Sequence, residues 1–529
     1  MMIADRFAYD GLPEANRLAH NPFVEFRRFK GNCTTLFLEK NIETGCGDNI
    51  ALISENHSFT YFQLLELVNQ AAHELTNIYG IQSGNRVLLR GYNSAAFAVY
   101  WLAIARIGAI AVATMPLLRK KELEVIAEMA AVSLMICEDE LASELDSFSK
   151  NENTKLLLFN RSDFNVTLKK YNFSTNFQPF IASEELLALI GFTSGTTGKP
   201  KMTAHYHSDV AAICEGFPKY SLKPKRGEIF AGSPPLGFTF GLGGLLLFPL
   251  YYGATSLLIP KPAPEVLLQA IEEQGVTTCF TAPTAWRVMC EKAADYNIDT
   301  LKYCVSAGEA LSAKVAKDWE EVTGIPILDG IGATEMLHIF IGSSHEKRKI
   351  GFTGVPIPGY EATLFDDFGN EIQEINKAGR LAVRGITGCK YLFNTEKQDA
   401  YVQNGWNFTG DIYQKDADGF FQFVARGDDM IISSGYNIAA IEVEQVLLEH
   451  ELIKECAVVG KPDENRGMLV AAYVVLHESV SGNDELKIQI QNWFKEHAAP
   501  YKYPRHIEFV ATLPKTETGK IQRFKLRTS

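Results

Sequence analysis

Residues 86–116 read RVLLRGYNSAAFAVYWLAIARIGAIAVATMP, and this stretch decides the fold class. RVLLRGYN is typical of a buried strand, SAAFAVYWLAIARIG of a helix ending at Gly108, and AIAVATMP of a second strand. This order is the unit from which helix-covered parallel sheets are built. The apolar stretch from Ala95 to Ala113 is interrupted by Arg106 and Gly108, so it predicts a buried helix and a strand rather than a membrane span.

The same alternation continues along the chain. LEVIAEMAAV followed by SLMICEDE repeats the helix–strand order, and TKLLLF, ATSLLIP, TTCFTAP and LKYCVSAG are further apolar strands followed by turn residues or a helix. Alternation of this kind up to about residue 360 predicts an α/β fold in which helices cover mostly parallel sheets.

The pattern changes after about Tyr360. EATLFDDFGNEI, GRLAVRG and GFFQFVARG predict antiparallel strands with Gly- and Asp-rich turns. Two predicted helices, IAAIEVEQVLLEH and ELKIQIQNWFKEH, then alternate with the strands IKECAVVGKPD and LVAAYVVL. We therefore place a boundary near Arg426 to Asp429 and expect two domains, residues 1–427 and a small α+β domain of residues 428–529.

Bulk properties restrict the function. A chain of 529 residues is too long for one compact core, and its net charge of −12 argues against non-specific binding of nucleic acid or anionic membranes. The nine cysteines are scattered, with no C-x-x-C, which predicts free thiols in a reducing compartment and no metal cluster. The start, MMIADRFAYDGLPEANR, lacks a basic region followed by an apolar run, so no secretory signal is expected. We expect a cytoplasmic enzyme without membrane insertion.

The clearest local motif is FTSGTTGKPK at residues 192–201, between the apolar strand LLALIGF and a helix predicted to begin near His207. Backbone N–H groups of such a loop form a concavity that binds anions, and the loop adds glycines, hydroxyls and positive charge. The residues that supply these groups are Thr193, Ser194, Gly195, Thr196, Thr197, Gly198, Lys199 and Lys201. The loop is not a Walker A motif, because Thr193 stands in place of the first glycine and Pro200 follows Lys199. It predicts a polyphosphate site of another kind.

Two other chemistries are less well supported. His205 and His207 have a spacing that would suit a metal pair, but no Cys or acidic cluster accompanies them. A Ser–His–Asp hydrolase is not indicated, because the chain has no G-x-S-x-G motif.

Taken together, these motifs resemble the adenylate-forming superfamily, which includes acyl- and aryl-CoA synthetases, adenylation domains of peptide synthetases, and luciferases. The similarity spans nearly the whole chain. Beyond the phosphate loop it includes SAGE at 306–309, DGIGATE at 329–335, GWNFTGD at 405–411, RGDDMI at 426–431, SSGYN at 433–437 and PKTETGKI at 514–521. The resemblance implies a small β-barrel-like subdomain in the large domain and a mobile C-terminal lid that swings about Asp428.

The resemblance also implies catalytic roles. Lys520 would bridge the substrate carboxylate and the α-phosphate, where a point charge stabilises the charge that builds up during phosphoryl transfer. Thr334 would contact the α-phosphate, and Glu335 would help to hold Mg²⁺, which favours carboxylate and phosphate oxygens. Asp411 would accept hydrogen bonds from the ribose hydroxyls, and Arg426 would face the ribose and phosphate.

Further positions carry over from the same motifs. The nucleotide site would also include Gly308, Glu309, Asp329, Gly330, Ile331 and Gly332, and the tunnel for the thiol would include Ser433, Ser434 and Gly435. The chain departs from the family pattern at two positions. Met202 stands where many members have glycine, and Ile331 stands where many have an aromatic ring that stacks on adenine.

The acyl-pocket segments, LGFTFGLGGLLLFP at 236–249 and GATEMLHIF at 332–340, resemble those of benzoate-type and 2-aminobenzoate-type CoA ligases. An aryl acid would lie flat against Phe238 or Phe240, and His338 would offer a hydrogen bond to a ring substituent or to the carboxylate. The expected pocket residues are Phe238, Phe240, Gly241, Ala307, Gly332 and His338.

The expected reaction is ATP-dependent activation of a carboxylic acid through acyl-AMP to the acyl-CoA thioester, with AMP and pyrophosphate released. ATP, Mg²⁺ and coenzyme A would be required. Three alternatives stay open at this point: an aryl-acid adenylating enzyme that loads an external carrier protein, a medium-chain acyl-CoA synthetase, and a catalytically inactive nucleotide-binding protein. A homodimer is also left open.

Overall fold

The structure is a computed structural model. It describes residues 1–23, 29–55, 57–145, 155–165, 168, 171–194, 200–366, 368–426, 430–477, 480–514 and 523–527. Within these residues, no helix combines the length and apolar character needed to cross a membrane.

Two helix-covered sheets form most of the large domain, as the alternating pattern predicts. The nine-stranded sheet has the spatial order Val355–Pro356, Ile339–Gly342, Ile327–Gly332, Tyr303–Ser306, Thr278–Thr281, Ile229–Gly232, Thr255–Leu258, Ile50–Ser54 and His57–Thr60. The six-stranded sheet has the order Lys155–Phe159, Leu134–Glu138, Arg86–Arg90, Ile110–Thr114, Leu187–Ser194 and Pro200–Tyr206. Antiparallel pairs occur only toward the sheet edges, so the prediction of mostly parallel sheets is confirmed.

The helix Ala95–Arg106 illustrates why the two sheets pack together. All twelve of its residues are buried, and it contacts strands of both sheets, including Ile50–Ser54 and Arg86–Arg90. Its N-terminus is capped by the Ser94 hydroxyl, which accepts from the Phe97 amide. A helix that is apolar on all faces belongs in such a position between two layers.

The other helices of eight or more residues are Tyr61–Asn77, Lys120–Met129, His207–Glu215, Pro264–Gln274, Pro283–Lys292, Ala313–Thr323, Ala440–Leu447 and Asp484–His497. The shorter α-helices are Phe7–Asp10, Thr34–Phe37, Glu39–Asn41, Thr239–Gly241, Phe248–Tyr251, Thr395–Tyr401 and Arg523–Arg527. The 3₁₀ turns are Ala15–Arg17, Asp139–Leu145, Ala293–Asp295, Thr334–Met336 and Pro500–Lys502, and the π-helical turns are Ile42–Cys46, Pro218–Leu222 and Leu242–Leu247.

Two smaller sheets follow in the sequence. An antiparallel half-barrel contains Tyr360–Phe365, Gly379–Gly385, Val402–Gln403, Trp406–Lys415 and Phe421–Arg426. The C-terminal sheet contains Met430–Ser433, Tyr436–Ala439, Ile453–Asp463, Gly467–Leu476 and His506–Phe509, with its own apolar core. The half-barrel therefore ends at Arg426 and the next sheet begins at Met430, while a domain boundary between residues 427 and 428 stays a prediction.

Candidate functional site

A single cavity of about 1310 Å³ lies where the two large sheets, the half-barrel and the C-terminal sheet meet. Thirteen of the residues named from the sequence for nucleotide, acid or thiol line it together: Thr193, Lys201, Phe238, Phe240, Ala307, Gly308, Gly332, Thr334, Glu335, His338, Asp411, Ser434 and Gly435. Motifs that are separated by more than 200 residues in the sequence therefore face one space.

The turn that carries Thr334 and Glu335 begins directly after the strand Ile327–Gly332. The Thr334 side chain approaches Gly191 in the neighbouring sheet so closely that a Cβ at Gly191 would lie 2.5 Å from the Thr334 methyl group. Leu337 closes the turn with a φ of +69°, a conformation that non-glycine residues rarely adopt. Glycine at position 191 is thus required for this turn to lie over the phosphate-loop strand.

Tyr391 is a site residue that the sequence analysis missed. Its hydroxyl donates to Oε1 of Glu335 and accepts from the Lys201 ammonium group at 3.3 Å. Burial, followed by the charge of Glu335, raises the pKa of Tyr391 far above its usual range, so the phenol stays a proton donor. Tyr391 lies in CKYLFNTEK, a stretch without a distinctive local pattern.

These contacts fit a magnesium site. Tyr391 holds one oxygen of Glu335, while the carboxylate still lines the cavity next to Thr334. Mg²⁺ in nucleotide enzymes is usually held by one or two carboxylates together with phosphate oxygens and water, so a single glutamate beside a polyphosphate site suffices.

Asp411 lies at the half-barrel edge of the cavity and is buried. The strand Trp406–Lys415 pairs with Phe421–Arg426 in a register that sets Asp411 opposite Arg426. Cross-strand partners have Cβ atoms about 5 Å apart. The register therefore agrees with the expectation that both residues serve the same ribose and phosphate, although the Arg426 side chain lies outside the described residues.

The aromatic end of the cavity surrounds His338. Its ring centroid lies 4.6 Å from that of Phe248, 5.8 Å from Phe240 and 6.1 Å from Phe217. Burial lowers the pKa of His338 to about 3, against a smaller opposing effect of the Phe240 carbonyl, so the ring is neutral at pH 7. That carbonyl does not meet hydrogen-bond geometry, and within the described residues neither ring nitrogen has a hydrogen-bond partner.

Glycine is needed beside this histidine. A Cβ at Gly243 would lie 2.4 Å from Cδ2 and 2.8 Å from Nε2 of His338. Gly241, which the sequence assigns to the acyl pocket, is not part of the cavity wall, because it packs against the backbone carbonyls of Pro234 and Pro235. Its role is to allow that close approach, behind Phe240.

Four expected nucleotide residues and one expected tunnel residue do not line the cavity: Glu309, Asp329, Gly330, Ile331 and Ser433. Asp329 lies within the nine-stranded sheet, where its carbonyl accepts from Ser343. Glu309 turns toward the C-terminal sheet and lies beside Gly435 and Gly467. The predicted contacts of the first four residues with ATP and of Ser433 with the thiol stay predictions.

The loop at residues 433–436 closes the cavity from the C-terminal side. Gly435 packs against Gly308, and the Tyr436 ring lies 6.3 Å from that of Phe238. On its other face Tyr436 stacks on Tyr501 at 4.2 Å. The predicted thiol-tunnel loop thus faces Phe238 and Gly308 in the cavity.

Several expected site residues lie outside the described part of the chain. These are Gly195, Thr196, Thr197, Gly198, Lys199, Asp428 and Lys520, and for Ser194 only the backbone is described. Their roles remain those implied by the family resemblance.

Asp329 leads to a prediction about pH. Burial raises its pKa to about 8, against weaker opposing effects of the Gly330 backbone and Thr353. Because the folded protein holds this proton more tightly than the unfolded chain, the contribution of Asp329 to stability is greatest below about pH 4 and falls as the pH rises toward 8, by at most about 1.4 kcal/mol per pH unit. We expect the melting temperature of Asp329→Asn to change less with pH between pH 5 and 8 than that of the wild type. An unchanged slope would show that Asp329 does not hold this proton.

Comparison with known proteins agrees with this geometry. Residues 38–390 match the family of AMP-binding enzymes, and residues 442–520 match the AMP-binding enzyme C-terminal domain. The chain belongs to the AMP-binding enzyme family. This confirms the family and the fold class that the motifs indicate.

Relatives within this family cover nearly the whole chain. A benzoate–CoA ligase of Thauera aromatica is 33% identical over 94% of this chain and 96% of its own. The mitochondrial acyl-coenzyme A synthetase ACSM3 of Mus musculus is 30% identical over 89% of this chain and 84% of its own. The crystal structure of the anthranilate CoA ligase AuaEII in complex with anthranoyl-AMP is 33% identical, with a TM-score of 0.72 over 94% of this chain and 97% of that one.

Proposed function

We propose that this AMP-binding enzyme is an ATP-dependent acid–thiol ligase that joins an aryl carboxylic acid of the benzoate or 2-aminobenzoate type to AMP, and then to coenzyme A. The observation that supports this most strongly is the shared cavity, which brings phosphate-binding, aromatic and C-terminal loop residues together. An acid, a nucleotide and a thiol therefore meet in one space, as a reaction through a bound acyl-AMP requires.

In the first half-reaction, a carboxylate oxygen of the acid attacks the α-phosphorus of ATP and pyrophosphate leaves. Thr334 and the phosphate loop orient the phosphates, and the Lys201 ammonium group adds positive charge at the cavity wall. Mg²⁺ held at Glu335 would supply the charge that neutralises the phosphate oxygens. Asp411 accepts hydrogen bonds from the ribose, which fixes the nucleotide in register.

In the second half-reaction, the thiol of coenzyme A loses its proton to solvent, its sulfur attacks the carbonyl carbon of acyl-AMP, and AMP leaves with the electrons of the broken C–O bond. Ser434 and Gly435 form the side of the cavity from which the thiol approaches. Gly435 packs on Gly308 without side chains between them, which suits a narrow pantetheine arm. We propose free coenzyme A as the acceptor because the relatives that cover nearly the whole chain are a CoA ligase and an acyl-coenzyme A synthetase, and we propose a cytoplasmic location.

The acid is proposed to be aromatic because aromatic rings surround His338 at one end of the cavity. A neutral His338 has one nitrogen that donates and one that accepts, so it suits an amino or hydroxyl substituent on the ring. The close contacts of Gly243 with His338 and of Gly244 with Phe280 leave no room for a long alkyl chain behind the histidine. This favours an aryl acid over a medium-chain fatty acid.

The test is acid-dependent exchange of pyrophosphate into ATP with purified enzyme and benzoate, 2-aminobenzoate, other aryl acids and medium-chain fatty acids. We expect exchange with the aryl acids, and thioester formation when coenzyme A is added. Preference for fatty acids would indicate a medium-chain acyl-CoA synthetase. Thioester formation only on a carrier protein would indicate an adenylating enzyme that loads such a protein. Absence of exchange with every acid would show a nucleotide-binding protein without this activity.

His338 provides a prediction about specificity. We expect His338→Leu to lower kcat/KM for 2-aminobenzoate more than for benzoate by up to about 10-fold, because one buried hydrogen bond contributes about 0.5–1.5 kcal/mol. Phe217→Leu is the matched control, because Phe217 contacts His338 but does not line the cavity. The control should change kcat/KM for both acids by the same factor. Equal losses for both acids in His338→Leu would contradict the hydrogen bond.

A further inference from the structure

His205 lies beneath the nucleotide-facing turn and makes one well-formed contact with it. It is fully buried in the strand Pro200–Tyr206, and its Nε2 lies 2.7 Å from the backbone oxygen of Thr334. A carbonyl oxygen only accepts hydrogen bonds, so Nε2 carries the proton. The same oxygen accepts from the Leu337 amide at 3.1 Å, which uses both of its lone pairs.

Charged groups in turn hold the histidine ring. Nδ1 of His205 lies 3.7 Å from Oδ2 of Asp209, at ion-pair distance but beyond hydrogen-bond distance. Asp209 is fully buried, and its Oδ2 accepts from the Lys390 ammonium group at 2.8 Å and from the Tyr206 amide at 3.0 Å. Lys390 also donates to the Gly388 carbonyl at 3.2 Å. The Lys390 ammonium group therefore balances the charge of the buried carboxylate. Lys390, Asp209 and His205 form a series of contacts that reaches the Thr334 carbonyl.

We propose that His205 is a positioning residue for adenylate formation, which fixes the peptide of Thr334 so that its side chain and the adjacent Glu335 meet the nucleotide in one geometry. The inference rests on the proposed function, which assigns Thr334 and Glu335 to the phosphates. The two histidines of HYH therefore have separate tasks. Nδ1 of His207 contacts Cys33, and among the described residues no group of three His, Cys, Asp or Glu forms a metal site.

Position matters at this turn because side chains from outside hold its backbone at single atoms: the Thr387 hydroxyl donates to the Met336 carbonyl at 2.7 Å, and His205 contacts the Thr334 carbonyl. Two hydrogen bonds within the turn close it, from Met336 to Ala333 and from Leu337 to Thr334, and Leu337 has a positive φ. The bond from His205 ties the turn to a different sheet. Displacement of a phosphate-binding group by about 1 Å is enough to lower a rate severalfold or more.

A purely structural role would make His205 a packing residue whose loss lowers stability without a selective effect on nucleotide. Two substitutions of similar volume separate the readings. His205→Gln keeps a side-chain N–H that reaches the Thr334 carbonyl, and His205→Leu has none. His205→Met is a second variant without a donor, for use if the leucine protein folds poorly.

The experiment measures the Kd of AMP by calorimetry without acid, together with kcat and the KM for MgATP in pyrophosphate exchange. We expect the leucine and methionine variants to weaken AMP binding and to raise the KM for MgATP about 10-fold, while the KM for the acid changes less than about 2-fold. The glutamine variant should return both nucleotide constants to within about 3-fold of wild type.

Equal values for the glutamine and leucine variants, or unchanged AMP affinity in the leucine variant, would overturn the proposal. The outcome is distinct from failure of the proposed function. AMP binding needs no acid, whereas a wild-type enzyme that exchanges no pyrophosphate with any acid would contradict the ligase activity alone.

Discussion

Lys520→Ala is expected to lower acid-dependent pyrophosphate exchange by roughly 10²–10³-fold, the usual cost of removing one group that stabilises transition-state charge. Lys520 itself lies outside the described residues, but both flanks of its segment are anchored. Leu513 and Leu526 pack in one apolar cluster on the C-terminal sheet, and the Tyr473 hydroxyl donates to the Leu526 carbonyl at 2.9 Å. Both described flanks therefore belong to the C-terminal sheet.

The same substitution should leave thioester formation from supplied acyl-AMP and coenzyme A within about 3-fold of wild type, if the domain swings between the half-reactions. Here the 433–436 loop faces the cavity, which is the arrangement expected for thiol attack. Lys525→Ala is a suitable control, because it removes an equal charge from an exposed position five residues away. Equal loss of both half-reactions in Lys520→Ala would contradict the swing.

The sequence predicted most of the fold because each element carries its own local signal. RVLLR, LMICE and TCFT are apolar runs bounded by turn residues, and each forms a buried strand of a mostly parallel sheet. The residues at the strand ends, such as Ala307 and Thr334, were also predictable, because strand ends in α/β folds line ligand crevices. Local sequence patterns were therefore sufficient to predict both the strands and the residues at their ends.

Contacts between distant segments were not predictable in the same way. Tyr391 contacts Glu335, 56 residues away in the sequence, and His205 contacts Thr334, 129 residues away. No local sequence pattern indicates either contact. Position along a strand also decides which residues reach the cavity. Asp329 is three residues from Gly332 on the same strand, yet of the two only Gly332, at the strand end, lines the cavity.

Domain arrangement depends on contacts between distant segments and is therefore the property least visible in local sequence; one of those contacts is made by a buried lysine. Lys502 of the C-terminal domain pairs with Glu122 of the helix Lys120–Met129 and, at 2.5 Å, with Glu442 of its own domain. Burial alone would lower the pKa of Lys502, but Tyr501 and the two carboxylates outweigh it and hold that pKa above its ordinary value. The charged side chain therefore links the domains only in an orientation like this one.

Glu122→Gln is expected to lower thioester formation from acyl-AMP roughly 10–100-fold, because a hydrogen bond to a charged group contributes about 1.5–3 kcal/mol. The glutamine oxygen still accepts from the Arg119 amide, so the helix keeps its cap, and Lys502 keeps Glu442. Pyrophosphate exchange should be unchanged or faster, since loss of one arrangement favours the other.

Glu449→Gln is the matched control, since Glu449 forms an ion pair with Lys121 between the same two domains, with both side chains about half exposed. Exposed pairs contribute about 0–1 kcal/mol, so this variant should stay within about 5-fold of wild type in both half-reactions. If the two variants behave alike, or if Glu122→Gln loses exchange and thioester formation in parallel, the lysine does not select the thiol-accepting arrangement. A selective loss in Glu122→Gln would show that burial of the ion pair, rather than its mere presence between the domains, determines which half-reaction the enzyme is poised for.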